Sequence, residues 1–209
     1  MNTKEAYDQW SSQYDSNINK TRDLEAIALK ETLSAIPFNT CLEIGCGTGK
    51  NTSWLLEKAT HITSVDLSEE MLAVARAKIR HEKVSFVQAD ILEDWSFISK
   101  SYDLVSFSLV LEHIENLDEV LAKTAAVLNP GGYVYIGELH PFKQYSGSKA
   151  RFETETGKKV VDCYTHHISE FIEAGKKNGL QLIELQEYFD EDNREIPRVL
   201  TLLLKKGSL

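Results

Sequence analysis

Short apolar runs and longer amphipathic stretches follow one another along most of the chain. Short runs of Val, Ile and Leu predict buried strands, and apolar residues spaced three and four apart predict helices. From residue 41 the two patterns alternate, which favours a parallel sheet with helices on both faces. The predicted strands are 41–44, 61–67, 84–89, 102–109 and 133–139, and the helices between them are 49–59, 69–80 and 116–128.

Both ends of the chain depart from this alternation. Near the N-terminus, Tyr7, Trp10 and Tyr14 recur at helical spacing, and an apolar stripe over residues 21–36 predicts a second helix that ends before Pro37. The first of these helices is interpreted either as a docking element or as a lid over a pocket. Residues 140–165 are polar and lack periodicity, which predicts a long connection of the kind that is functional or mobile in a compact domain.

The last part of the chain predicts a helix and two strands. Residues 168–178 form the helix, which ends at Gly179. The strands 180–189 and 198–205 are separated by only eight residues, 190–197. So short a link allows an antiparallel pair and excludes a parallel crossover.

Composition narrows the function classes. The 209 residues fit one domain, 1–209, and no apolar run approaches the roughly 20 residues that a membrane-spanning helix needs. The net charge of −9 disfavours a nucleic-acid substrate. Three cysteines without paired spacing and a polar N-terminus favour a cytoplasmic protein without a signal peptide. The six histidines are scattered, so no metal site is predicted.

Chemistry-bearing residues fall where successive strands end, which is where open α/β sheets bind ligands. Glycines at 45, 47 and 49 follow the first strand, with Glu43 just before them. Asp66 closes the second strand, Asp90 closes the third, and residues 106–113 close the fourth. The NAD-binding fingerprint, Gly-x-Gly-x-x-Gly, fails here because Lys50 occupies the position of its third glycine.

This set of motifs resembles the class I S-adenosylmethionine (SAM)-dependent methyltransferases over roughly residues 40–140. The resemblance is carried by residues 43–49 (EIGCGTG), 65–68 (VDLS), 88–91 (QADI), 102–105 (YDLV) and 128–132 (LNPGG). It is closest to the subgroup whose fourth motif ends in Leu111-Glu112-His113. It implies a three-layer, Rossmann-like α/β sandwich on a seven-stranded, mostly parallel sheet with an antiparallel last strand. Residues 1–36 would form a helical lid, and residues 140–165 an insertion on the acceptor side, called here the acceptor-side segment.

The resemblance also implies how SAM would be held. The glycine loop would cradle the methionyl group and ribose, Asp66 would accept the ribose hydroxyls, and Glu43 would balance the amino group. Leu67 and Met71 would enclose the adenine, and Asp90 and Ile91 would hydrogen-bond it. The implied cofactor-binding residues are Tyr14, Glu43, Gly45, Cys46, Gly47, Gly49, Asp66, Leu67, Met71, Asp90, Ile91, Ser106 and Ser108.

The predicted function is methyl transfer from SAM to an oxygen or nitrogen of a small molecule. A general base is needed only if the nucleophile must lose a proton, and His113 and His140 are the candidates because each follows a strand at the pocket edge. A non-catalytic SAM-binding regulatory module remains an alternative, as does a methyltransferase acting on RNA or protein. Further candidates are Tyr145, Tyr164, His166 and His167 for the acceptor pocket, and Lys143, Lys149, Arg151, Lys158 and Lys159 for a basic groove.

Overall fold

The computed structural model describes residues 2–154 and 157–208, and it describes the side chains of these residues outside 151–159. A 3-10 helix at Leu111–His113 follows the fourth strand. The other elements are α1 Thr3–Trp10, α2 Lys20–Leu33, β1 Thr40–Ile44, α3 Thr52–Lys58, β2 His61–Asp66, α4 Glu69–Lys78, β3 Val84–Gln88, β4 Tyr102–Ser108, α5 Leu117–Val127, β5 Leu128–Leu139, α6 Pro141–Tyr145, β6 Arg151–Thr154, β7 Gly157–Val160, α7 Ile168–Lys177, β8 Leu180–Asp190 and β9 Asn193–Lys206.

Seven strands form one sheet in the order β3-β2-β1-β4-β5-β9-β8. The first five strands in this order pair in parallel, so their carboxyl ends meet at one edge. Strand β9 lies antiparallel to both β5 and β8. The predicted seven-stranded, mostly parallel sheet with an antiparallel last strand is therefore confirmed.

Helices cover both faces of the sheet and bury a separate apolar cluster on each. On one face, α5 and α7 contribute Leu121 and Phe171 to a cluster with strand residues such as Phe107. On the other face, Leu29 of α2 and Leu55 of α3 pack on the sheet. Because successive residues of a strand point to opposite faces, a buried strand needs apolar residues at nearly every position. The predicted three-layer arrangement is confirmed.

Two regions differ from the predicted elements. The acceptor-side segment, which is predicted only as a long connection, contains the short helix α6 and the antiparallel pair β6–β7. The predicted turn at residues 128–132 belongs to β5, where the register against β4 jumps from Tyr102–Leu128 to Leu104–Tyr133. Four residues are thus accommodated as a bulge, which Gly131 permits with a φ of +76°.

Candidate active site

A cavity of about 390 Å³ lies at the carboxyl ends of the parallel strands, beneath helix α1. Its floor and walls come from the loops after β1, β2, β3 and β4, and its cover comes from the N-terminal segment. The lining residues are Asn2, Thr3, Lys4, Tyr7, Tyr14, Ile44, Gly45, Gly47, Val65, Asp66, Leu67, Ser68, Ala89, Asp90, Ile91, Leu92, Ser108, Leu109, Val110, His113 and Ile114.

The glycine loop forms the floor of the cavity. The backbone N–H groups of Gly45 and Cys46 both donate to the carbonyl oxygen of Val65, at 2.8 and 3.0 Å, which ties the loop to the end of β2. Gly45 has a φ of +70°, and a Cβ atom there would lie 2.1 Å from Cγ2 of Val110. Only glycine allows this conformation and this close approach to the segment that follows β4.

Asp66 sits on the cavity wall with its carboxylate fixed by backbone donors. Its two oxygens accept from the N–H groups of Gly47 and Ser68, at 2.8 and 2.9 Å. Burial raises the pKa of Asp66, and these backbone donors oppose that rise. Each carboxylate oxygen has a further lone pair, so the group can accept additional hydrogen bonds from a ligand in the cavity.

The neighbouring strand end supplies a second polar position. Asp90 lines the cavity, and its Oδ1 accepts from the N–H of Leu92 at 2.9 Å. Ile91 is buried, and its carbonyl accepts from Nε1 of Trp95 at 2.9 Å, which fixes the turn. With Leu67 from the loop after β2, these residues make a wall with apolar surface and one carboxylate.

The N-terminal segment is fastened over the cavity by two carboxylates. Asp8 of α1 accepts from the hydroxyl of Ser68 at 2.6 Å, and Asp15 accepts from the hydroxyl of Thr48 at 2.7 Å. Asp15 also forms an ion pair with Lys78 of α4. The pKa of Asp15 is lowered because hydrogen bonding by Lys78 and Thr48 outweighs the effect of its partial burial.

His113 connects this cover to the acceptor-side segment. Its Nδ1 lies 2.9 Å from the carbonyl oxygen of Asp162, and its Nε2 lies 2.9 Å from the hydroxyl oxygen of Tyr7. A carbonyl only accepts, so Nδ1 carries the proton, and in the neutral ring Nε2 accepts from the Tyr7 hydroxyl. The geometry therefore defines one tautomer of His113. Both rings line the cavity.

Nine of the predicted site residues do line the cavity, and in sequence they run from the turn after α1 to the 3-10 helix after β4. This group is Tyr14, Gly45, Gly47, Asp66, Leu67, Asp90, Ile91, Ser108 and His113.

Three predicted residues of the glycine-loop region lie outside the lining. Glu43 is buried below the loop, where Oε2 accepts from Thr52 and Ser64 at 2.6 and 2.7 Å, and burial raises its pKa to about 7. Cys46 is buried in the loop, its Sγ 3.8 Å from the carbonyl of Gly47. At Gly49 a Cβ would lie 2.7 Å from Ile79, so this glycine allows close packing of the loop on the residue after α4.

The other three predicted residues also lie outside the lining. Met71 is fully buried and packs in a cluster with Trp10 of α1, so it supports the cover. Ser106 is buried within β4. His140 is the N-cap of α6, with Nδ1 accepting from the N–H of Phe142 and Nε2 2.9 Å from Glu187. Burial lowers the pKa of His140, whose role in this structure is to begin a helix.

The candidates in the acceptor-side segment are not grouped around the cavity. Tyr145 is exposed, and its hydroxyl oxygen lies 2.6 Å from Nδ1 of His167. Tyr164 and His166 line a second, separate depression between α5 and α7. The side chains of Arg151, Lys158 and Lys159 lie outside the described part of the structure.

Sequence reasoning did not assign functions to several residues at the cavity. Tyr7 was placed on the N-terminal helix, but its hydroxyl contact with His113 was not predicted. The turn at Leu109, which has a φ of +57°, was not predicted either. This turn is held by Glu138, whose Oε1 accepts from the N–H groups of Val110 and Leu111 at 2.9 and 2.7 Å. A carboxylate in the apolar strand β5 was the signal that could have indicated such a role.

Comparison with known proteins identifies the family of the chain. A family described as "Methyltransferase domain" matches residues 42–136, which include the glycine loop, Asp66, Asp90 and His113. A Listeria monocytogenes protein assigned to the SAM-dependent methyltransferases has a solved structure with 26% identity and a TM-score of 0.75, over 89% of this chain and 99% of that one. The chain is a class I SAM-dependent methyltransferase.

Two curated relatives show the breadth of similarity. An uncharacterized methyltransferase of Emericella nidulans is 25% identical over 88% of this chain and 78% of that protein. A ubiquinone biosynthesis O-methyltransferase of Aromatoleum aromaticum is 32% identical over 69% of this chain and 64% of that protein. The match to the second relative therefore spans just under two thirds of its length.

The residues of this methyltransferase fit SAM, its methyl donor. SAM carries a ribose diol and two cationic groups. The cavity offers the fixed acceptor Asp66, and two acids outside its lining, Glu25 and Glu43, are buried. The apolar surfaces of Leu67 and Ile91 suit an adenine ring.

Among the helices in the described residues, none is long and apolar enough to span a membrane.

Proposed function

We propose that this methyltransferase acts on a small molecule that meets SAM inside the cavity under α1, and that the transfer is to oxygen or nitrogen. The observation that carries the proposal is the covered cavity itself. Residues 2–4, Tyr7 and Tyr14 lie over the strand ends, so a polypeptide or nucleic-acid strand could not enter without displacing the N-terminal segment. The net charge of −9 points the same way.

In this proposal the strand ends hold SAM in order across the sheet. Asp90 and Ile91 after β3 bind the adenine with Leu67, and Asp66 after β2 accepts the ribose hydroxyls. The floor at Gly45 and Gly47, with Ser108 after β4, receives the methionyl group. SAM supplies a methyl carbon on a sulfonium that departs as a neutral sulfide, so the protein's task is alignment and exclusion of water.

Tyr7 and His113 are proposed to handle the proton of the acceptor. An acceptor hydroxyl or amine beside Tyr7 releases its proton to the phenol oxygen, while the Tyr7 proton moves to Nε2 of His113. The product of this transfer is an imidazolium whose Nδ1–H stays bonded to the Asp162 carbonyl. Burial raises the pKa of Tyr7, which suits a neutral relay and disfavours a standing phenolate.

The names of two similar proteins support transfer to oxygen or to nitrogen. The Aromatoleum aromaticum relative is an O-methyltransferase of ubiquinone biosynthesis. NodS of Bradyrhizobium japonicum, solved with S-adenosylhomocysteine (SAH), is an N-methyltransferase whose structure shares the fold with a TM-score of 0.75, 19% identity and coverage of 99% of each chain.

Residues 1–36 are proposed to act as the lid and the acceptor-side segment to select the acceptor. The segment meets the cavity through the contact between Asp162 and His113, and the backbone N–H of Tyr164 donates to the carbonyl of Glu112 at 2.7 Å.

We also propose a cytoplasmic location, supported by the three free cysteines at 41, 46 and 163.

The proposed function is tested by incubating the purified protein with methyl-labelled SAM and separate pools of small phenols, catechols, amines and carboxylic acids. We expect label to appear in one pool together with stoichiometric SAH. Transfer of label only to added RNA or protein would contradict the proposal, as would SAM binding with no transfer to any pool. The second result would favour the regulatory module.

A further inference from the structure

Glu25 is a buried carboxylate that helix α2 brings to the sheet from outside the glycine-loop region. It is 2% exposed. Its Oε2 accepts from Nδ2 of Asn51 at 3.0 Å, and its Oε1 accepts from the hydroxyl of Tyr135 at 3.0 Å. The same Nδ2 of Asn51 donates to the hydroxyl oxygen of Ser108 at 3.2 Å, and Ser108 lines the cavity. Two hydrogen bonds therefore join Glu25 to the cavity wall.

Strand β5 lacks a side chain at the position where this carboxylate lies. A Cβ atom on Gly137 would stand 2.6 Å from Oε1 of Glu25 and 2.5 Å from the hydroxyl oxygen of Tyr135. Glycine weakens a strand interior, and it occurs where another group must approach the backbone closely. Gly137 is explained by the space that Glu25 and Tyr135 occupy.

The hydrogen-bond donors around Glu25 do not offset the cost of burying its carboxylate. Burial raises its pKa, and hydrogen bonding by the Ser108, Asn51 and Tyr135 side chains opposes that rise. Among the described residues, no Lys, Arg or His forms an ion pair with Glu25, and nearby Lys50 pairs with Asp23 instead. A buried carboxylate with donors but no cation is costly unless a ligand brings the positive charge.

One acceptor atom in this network lacks a hydrogen-bond partner. Oδ1 of Asn51 is inaccessible to solvent and accepts no hydrogen bond from the described residues. Buried acceptors are nearly always paired, so this oxygen is an exception within the network of Glu25. It belongs to the same amide group that contacts Ser108.

The order of strands tells which end of SAM would lie here. In the proposed arrangement, the adenine is at β3 and the ribose at β2, and the sheet continues in the order β1 and β4. The methionyl end of SAM therefore falls beside β4, where Ser108 is. Its α-ammonium group is a cation with three N–H donors.

We propose that Glu25 is the counter-charge for the α-ammonium group of SAM and acts as a positioning residue through Asn51 and Ser108. This inference rests on the proposed placement of SAM in the cavity. It assigns to α2 a part of cofactor recognition that the glycine loop and the acids after β2 and β3 do not provide. A role limited to fixing α2 on the sheet is the competing explanation.

The test is calorimetric titration of wild type and Glu25→Gln with SAM, SAH and methylthioadenosine. SAM and SAH carry the α-ammonium group, whereas methylthioadenosine keeps the adenosine and lacks it. Gln preserves the shape and removes the charge. We expect Glu25→Gln to lower the affinity for SAM and SAH about tenfold or more. Its affinity for methylthioadenosine should change less than twofold.

Tyr135→Phe is the matched control, because it removes one hydrogen bond to Glu25 and keeps the charge. We expect this variant to retain the wild-type ratio of SAH to methylthioadenosine affinity. Equal weakening of all three ligands by Glu25→Gln would show a structural role and overturn the inference, as would weakening of SAM alone or of none. Failure of the wild type to bind SAM would instead contradict the proposed function.

Discussion

At the scale of single residues, His113 has the contacts that a proton-handling group needs. One ring nitrogen is committed to the carbonyl of Asp162, and the other accepts from Tyr7. Tyr7 and His113 also meet edge to face, with ring centroids 5.5 Å apart. Tyr7 of α1 and His113 of the 3-10 helix therefore hold one another in place at the cavity.

Replacing Tyr7 with Phe should slow methyl transfer more than it weakens the binding of SAM. The substitution keeps the ring packing but removes the hydroxyl of the proposed relay, and general acid–base groups contribute roughly 100-fold or more to rate. We expect kcat to fall about 100-fold for a hydroxyl acceptor, with the Kd for SAM within threefold of wild type. Tyr133→Phe, in β5 and outside the cavity lining, is the control. Unchanged kcat in Tyr7→Phe would remove Tyr7 from the mechanism.

Sequence reasoning was most informative about residues that end strands. Asp66 and Asp90 could be placed because the parallel sheet sends the end of every strand to one edge, whatever the loops do. The direction of the Glu43 side chain could not be read in this way, since it depends on Thr52 and Ser64 from two other elements. The network of Glu25 joins residues 25, 51, 108 and 135, and no local spacing indicates it.

At the scale of elements, helix α1 is attached mainly through polar contacts. Asp8 bonds Ser68 of the loop before α4, and the turn after α1 places Asp15 beside Thr48 and Lys78. The apolar part of the attachment is a small cluster that includes Ala6, Trp10 and Met71. An element held by few apolar contacts opens at lower free energy than the core, so α1 is suited to admit and release ligands.

Replacing Asp15 with Asn should loosen this cover. The variant loses the ion pair with Lys78 and weakens the bond to Thr48, while the glycine loop is unchanged. We expect faster amide hydrogen exchange in residues 2–16, measured by mass spectrometry, and a SAM dissociation rate several-fold above wild type. Asp192→Asn, which removes a carboxylate from an exposed pair with Lys20, is the control. Exchange equal to wild type in residues 2–16 would show that Asp15 does not hold the cover.

The elements of the Rossmann-like part were predictable because each is a continuous apolar or amphipathic run. The acceptor-side segment was not, since α6 is only five residues long and β6 and β7 are four each. Elements of this length have too few residues to show a period, and they are stabilised by contacts with the rest of the fold.

At the scale of the whole molecule, buried carboxylates should make folding stability depend on pH. Burial raises the pKa of Glu43 to about 7 and that of Glu138 to about 8, against 4.5 for an ordinary glutamate. Between pH 4.5 and these raised pKa values, the folded state keeps protons that the unfolded chain has lost. The contribution of both groups is therefore complete below pH 4.5 and is lost as the pH rises through 7 and 8.

We expect the urea midpoint of unfolding to be lower at pH 8.5 than at pH 5.5. Glu138→Gln should flatten this dependence, because Gln resembles the protonated acid and its oxygen can still accept from Val110 and Leu111. Glu57→Gln, at an exposed position, is the control and should leave the pH dependence of the midpoint unchanged. A midpoint that rises between pH 5.5 and 8.5 would contradict this account of the buried acids.

We propose that SAM occupies the covered cavity with its ribose on Asp66. This claim is tested most directly by calorimetric titration of wild type and Asp66→Ala with SAM, SAH and NAD. We predict that wild type binds SAM and SAH but not NAD. Asp66→Ala should bind SAM at least tenfold more weakly, on the order of 1–3 kcal/mol for unpaired ribose hydroxyls. Unchanged SAM affinity in Asp66→Ala, or binding of NAD without SAM, would contradict the claim.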